Sequence, residues 1–319
     1  MKIYLRNLLG AVLAAAALFL PSPRCSCAGL DSSAGALVIA IVQPQHVDAY
    51  QEAVQGFLEY LRRHLPRQFT AILYEKPEKL YAALGSKDAP PVQLIVTIGT
   101  TVTADVIGRV HDIPVLFSML FNPESILQGR RDVVGASLNI PFALQLELIS
   151  TVLPRVKTVG LLYDPEKNDS TIHRYLAQAE DSRLRLKVFP VTSAKELPNA
   201  LSKVAKEADA LLGIVDSSVY SSRTTELVIR YTLKKQLPFI GISPSYVKAG
   251  ALCSLTFDSR DVGRQTAQLA LNILGGTPVE ELEISLPEKI HFALNLKTAD
   301  MIDVSIPGKI QDQAAIVYE

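Results

Sequence analysis

From residue 36 to residue 242 the chain alternates short apolar runs with longer amphipathic segments. The run 36–42 (ALVIAIV) is apolar throughout and rich in β-branched residues, which predicts a strand buried on both faces. In 48–65, Tyr50, Ala53, Val54, Phe57, Leu58, Leu61 and Leu65 recur at helical spacing. Strands are predicted at 69–74, 92–98 and 114–117, with helices at 78–84 and 101–111. Strand–helix alternation of this kind calls for right-handed crossovers and a parallel sheet covered by helices on both faces.

The rhythm then starts again: helix 142–152, strand 156–163, helix 170–182, strand 186–191, helix 194–207, strand 210–215, helix 219–235 and strand 238–242. The predicted fold class is therefore α/β, with two doubly wound parallel-sheet lobes. Two extended stretches, 132–139 and 251–257, read as passages between the lobes, and 284–286 and 290–294 are sheet-like. Helix 261–274 is assigned to the first lobe. The expected division is 36–136 plus 257–278 for the N-terminal lobe and 137–256 plus 279–319 for the C-terminal lobe, with crossings near 134–139, 255–258 and 277–284. Several crossings make a hinge rather than a loose tether.

The first 28 residues alter this picture. Lys2 and Arg6 precede a 13-residue apolar run, 8–20, and Ser26, Cys27 and Ala28 supply small residues before Gly29. This is the layout of a secretory signal peptide, and the run is short for a membrane span. Cleavage after Ala28 and export to the periplasm are expected. Arg24, just before Cys25, weighs against lipid attachment through Cys25 or Cys27. The remaining 291 of 319 residues would carry 29 basic and 32 acidic side chains, no footprint for nucleic acid or an anionic membrane. Only Cys253 would remain, so no intramolecular disulfide can form. No later stretch reaches the length of a membrane helix, and a soluble chain is expected.

In open parallel sheets, ligands bind beyond the carboxyl ends of the strands. Those positions hold Gln43, Gly99, Thr100, Thr101, Phe117, Ser118, Tyr163, Asp164, Asp216, Ser217, Ser243 and Ser245. The set is rich in hydroxyls. Gly99 allows a sharp turn into a helix whose free N–H groups, beside two threonine hydroxyls, suit a carboxylate. The same threonines have the chemistry of plain helix caps, and so has Asp216, whose alternative role is to receive an ammonium or hydroxyl group. Asp164, before Pro165, reads more simply as a turn residue. Phe117, Tyr163 and Tyr220 either enclose an apolar ligand group or are core.

Enzyme signatures are missing. The run 241–245 (GISPS) approaches a nucleophile elbow but lacks the second glycine. The mature chain has no phosphate loop, dinucleotide fingerprint, HExxH or CxxC. His46, His64, His111, His173 and His291 are scattered, so neither a metal nor a cofactor is expected.

A set of runs in order points further: 95–100 (IVTIGT), 113–117 (IPVLF), Asn122-Pro123, 153–165 (LPRVKTVGLLYDP), 208–212 (ADALL) leading to Asp216, 247–252 (VKAGAL), 261–265 (DVGRQ) and 295–299 (NLKTA). In these the chain resembles the ABC transporter substrate-binding proteins of the group with tryptophan- and tyrosine-binding members, which have the type I periplasmic-binding-protein fold. The resemblance implies a monomer that captures a small polar or amino-acid-like ligand and delivers it to a permease and its ATPase. It also implies that first-lobe hydroxyls hold a carboxylate and Asp216 an amino group. The alternatives are a sensor that presents its closed form to a membrane histidine kinase and, more distantly, an exported hydrolase. The chain departs from the family pattern in a shorter segment 67–70, in 129–132 (GRRD), and in a bulky Leu120-Phe121 at the pocket edge.

Overall fold

In the computed structural model, which describes residues 37–44 and 47–319, the first apolar run forms β1 (Leu37–Val42), buried at every position. The expected signal segment, Cys25, Cys27 and His46 lie outside the described residues. After β1 come α1 (Asp48–His64), β2 (Phe69–Tyr74), α2 (Pro77–Leu84), β3 (Leu94–Ile98), α3 (Thr100–Ile107), β4 (Val115–Leu120), α4 (Pro123–Leu127) and β5 (Val133–Ser137). All five strands are parallel, in the order β2-β1-β3-β4-β5. Because successive side chains point to opposite faces, Leu37, Ile39 and Ile41 enter one core while Ala40 and Val42 enter another.

The second lobe repeats this winding. It contains α5 (Phe142–Val152), β6 (Thr158–Tyr163), α6 (Pro165–Ala179), β7 (Arg185–Pro190), α7 (Leu197–Glu207), β8 (Ala210–Leu212), α8 (Ser222–Lys234), β9 (Phe239–Ile240), α9 (Pro244–Ala249) and β10 (Cys253–Phe257). The order β7-β6-β8-β9-β10 reproduces that of the first sheet strand for strand. Two more strands extend it: β11 (Ile290–Asn295), antiparallel to β10, and β12 (Ile316–Tyr318), parallel to β11. The second sheet is thus mixed rather than wholly parallel. Cys253 is buried in it, and burial pushes its thiol up to about 12, which makes it inert.

Some boundaries differ from the sequence reading for local reasons. The helix expected from 170 begins at Pro165, because Asp164 Oδ1 accepts the Glu166 N–H at 3.1 Å as a cap and proline suits the first helical position. The runs 210–215 and 238–242 yield strands of three and two residues, since the chain leaves the sheet at Gly213 and Gly241.

After β10 comes α10 (Ser259–Leu274). It leaves β10 of the second sheet and packs along α1 of the first lobe. The helices meet at two glycines: a Cβ on Gly263 would lie 1.8 Å from the Ala53 carbonyl oxygen, and one on Gly56 2.0 Å from that of Arg260. The last expected crossing needs correction. Val279, Leu282 and Ile284 pack against the first-lobe core, and Ser285 exchanges backbone hydrogen bonds with Gly135 and Ser137 at 3.0 and 2.8 Å. The passage to the second sheet therefore falls at 286–289, because pairing with the free edge of β5 satisfies Ser285 first. Beyond β11 the chain adds α11 (Leu296–Met301) and α12 (Gly308–Gln311).

Candidate functional site

In each sheet the strand order reverses beside the first strand, opening a crevice between β1 and β3 and another between β6 and β8. In the first lobe, Gln43 follows β1. Its N–H donates to the Tyr74 carbonyl at 3.0 Å, while its side-chain Oε1 is buried without a partner. Gly99 occupies the left-handed region at φ 86°, with the Tyr50 hydroxyl where a Cβ would come within 2.6 Å, so glycine is required twice over. Thr100 and Thr101 are exposed in the first turn of α3, and neither hydroxyl caps that helix. Phe117 is core, and Ser118 is buried with its Oγ accepting from Thr266 Oγ1 of α10 at 2.8 Å.

In the second lobe, Tyr163 is core and Asp216 is buried at the centre of a small network. Asp216 Oδ2 accepts the Asp164 N–H at 2.7 Å and Asn168 Nδ2 at 2.8 Å. Oδ1 accepts the N–H groups of Ser218 at 2.9 Å and Val219 at 3.1 Å. Four donors from its own lobe occupy the carboxylate, which ties the β6–α6 junction to the loop after β8. Ser217 beside it is exposed. The Ser243 and Ser245 hydroxyls bond each other at 2.7 Å, and Ser245 also borders a groove between α8 and α9.

A cavity of about 260 Å³ opens between the lobes, and none of those twelve residues lines it. Its walls are Phe121, Asn122 and Glu124 from the first lobe, the crossing residues 138–141, α5, the 171–178 face of α6, and the ends of β8 and β9. Leu255 of β10 and Leu286 of the last passage between the sheets complete it. Three of its residues are large exposed hydrophobics: Phe121 at 37%, Val215 at 42% and Leu286 at 47%. Phe121 reaches the edge through a β-bulge: the β4–β5 register shifts between Ser118 and Leu120, and Met119 takes φ 62°. Phe142 and Tyr175 stack with ring centroids 4.0 Å apart. Of this lining, the sequence pattern marks Phe121, Asn122, the 138–139 end of the first crossing and Leu255 at the second; the contribution of α6 comes from a face turned toward α5, a tertiary fact.

The match to ABC transporter substrate-binding proteins runs over residues 38–318, and the chain belongs to that family. Its members are solute-binding proteins, not enzymes. A tyrosine-binding protein of Clostridioides difficile (strain R20291) is 22% identical over 222 residues, 66% of this chain and 63% of that one. The chain thus spans less than two thirds of that relative's length. An uncharacterized protein of Rickettsia prowazekii is 19% identical over 82% of this chain and 83% of its own. Among solved structures, the ligand-free, open form of a substrate-binding protein with adhesive properties from Clostridium difficile superposes with TM-score 0.69 at 19% identity, covering 88% of this chain and 99% of that one. An ABC domain in complex with L-Trp from Streptococcus pneumonia gives TM-score 0.60 at 20% identity over the same shares. These likenesses establish the two-lobed type I periplasmic-binding-protein fold.

Proposed function

We propose that this protein captures a single amino acid with an apolar or aromatic side chain outside the cytoplasmic membrane and passes it to the permease of an ABC importer. One observation carries the reading: a mainly apolar cavity whose walls come from both lobes and from the first and last passages between them. A solute there gains contacts from both sides only when the lobes approach, so binding free energy favours the closed form. The volume lies near the lower end for small-molecule sites, in keeping with one amino acid. The tyrosine-binding relative and the L-Trp complex support an aromatic side chain. Export rests on the charged, apolar and small-residue layout of the first 28 residues.

Within this reading the strand-end residues divide by exposure. Thr100, Thr101, Ser217 and Ser245 are exposed and available to a ligand as the cleft closes, and Gln43 and Ser243 are half-buried beside them. Phe117, Ser118, Tyr163, Asp164 and Asp216 hold the frame beneath them. A thermal-shift screen over the twenty amino acids tests the proposal, since a ligand bound only by the folded state stabilises it by RT ln(1 + [L]/Kd). L-tyrosine or L-tryptophan is expected to raise the melting temperature most, with dose dependence. A flat response to all twenty refutes the reading.

A further inference from the structure

The cavity lining contains one cation and one carboxylate, and they belong to different lobes. Arg174 projects from α6 in the second, and Glu124 lies in α4 of the first. Both side chains are exposed, and among the described residues neither has a hydrogen bond or ion pair. Elsewhere on the surface charges are often paired, as in Lys187–Glu207 at 3.2 Å and Arg230–Glu226 at 3.6 Å. Around these two, the lining is mainly aliphatic and aromatic: Leu138, Ile140, Phe142, Leu212, Ile214 and Ile240.

Resting on the reading of this cavity as the ligand site, we infer that Arg174 holds the carboxylate of the bound amino acid and Glu124 its ammonium group. A guanidinium offers paired N–H donors matched to a carboxylate, and a carboxylate accepts from an ammonium. An α-amino acid carries both charges on one carbon. Held by both charges, the amino acid bridges α4 and α6, and its side chain turns into the apolar interior. The two charges thus couple recognition of the zwitterion to lobe closure and discriminate against neutral aromatic solutes. Closure also removes water from both ion pairs, which strengthens them relative to their exposed state.

Isothermal titration separates this assignment from the function reading. The ligands are L-tryptophan and L-tyrosine, their carboxamides, which keep only the ammonium, and their deaminated propionates, which keep only the carboxylate. Arg174→Gln is expected to weaken the parent amino acid and the propionate by roughly 10- to 100-fold and the carboxamide by less than about twofold. Glu124→Gln should give the mirror pattern, and Arg174→Lys should recover part of the loss. Both side chains are exposed, so apo melting should not move. The assignment is overturned if either glutamine variant leaves the parent amino acid within about twofold of wild type, or if it weakens all three compounds alike. A wild-type protein that binds no amino acid overturns the function reading itself, and this assignment with it.

Discussion

Asp216 is a strand-end carboxylate whose four hydrogen bonds all come from its own lobe. Each oxygen accepts two hydrogen bonds, and three of the four come from backbone N–H groups that no other acceptor in the loop replaces. In Asp216→Asn the amide NH2 would face donors in place of one oxygen, stranding at least one buried N–H. A loss of about 1–3 kcal/mol in unfolding free energy is expected, measured by urea denaturation of the ligand-free protein. A variant as stable as wild type, yet deficient in amino-acid binding, would return Asp216 to direct ligand contact. Thr100 and Thr101 stand at the opposite extreme, with hydroxyls that are exposed and cap nothing in α3.

Among elements, the α1–α10 pair is a joint that leaves no room for a side chain. Helix α10 comes from the second sheet, yet Val262, Ala267, Leu269 and Ala270 lie in the first-lobe core. The backbones approach so closely at Gly56 and Gly263 that neither helix has room for a methyl group on the facing side. Gly263→Ala must push the helices apart, since its Cβ would meet backbone rather than a movable side chain. A cost of about 2–3 kcal/mol is expected, enough to lower the melting temperature by several degrees. Because α10 also carries Thr266, bonded to Ser118 within β4 just before its bulge, the displacement should reach the cavity edge and weaken ligand binding as well.

At the scale of the whole molecule, the two later passages between the lobes are fastened at the start of α10. Asp258 caps the helix by accepting the Asp261 N–H, and its own N–H donates to the Lys289 carbonyl. Asp261, with its side chain 1% exposed, pairs with Arg264 at 2.7 Å and Lys289 at 3.4 Å, and Arg264 reaches on to Glu288. Gln265 donates to the Leu286 carbonyl at 2.7 Å. Burial pushes the Asp261 carboxyl up, but the hydrogen bond and charge of Arg264, with Lys289, outweigh it and hold the group below its ordinary 3.8. A depressed carboxylate contributes its full stability above the unfolded-state value and loses it as pH falls through the lower folded value. Wild type should therefore lose stability more steeply than Asp261→Asn below about pH 4, as followed by melting temperature against pH. Parallel acid limbs would show that the pairing contributes nothing to the hinge.

The strands and helices of both lobes, and the repetition that makes two of them, were legible because each depends on local periodicity. A fully apolar run such as 36–42 has no stable place except between two helix layers, and the 3.6-residue spacing of 48–65 admits only one buried face. Strand-end positions were legible for the same reason, since they follow from where the apolar runs stop. Tertiary structure decided which of those positions are free. Gly99, required by a positive φ beneath Tyr50, could be read as a turn, but the committed state of Asp216 depends on Asp164 and Asn168, some fifty residues away in the chain. The late crossing at 286–289 was decided by the open edge of β5, a partner no local pattern announces. The cavity belongs to the same class: it exists only where seven separate segments meet, so its lining, and the two opposite charges on it, come from packing rather than from any run of residues.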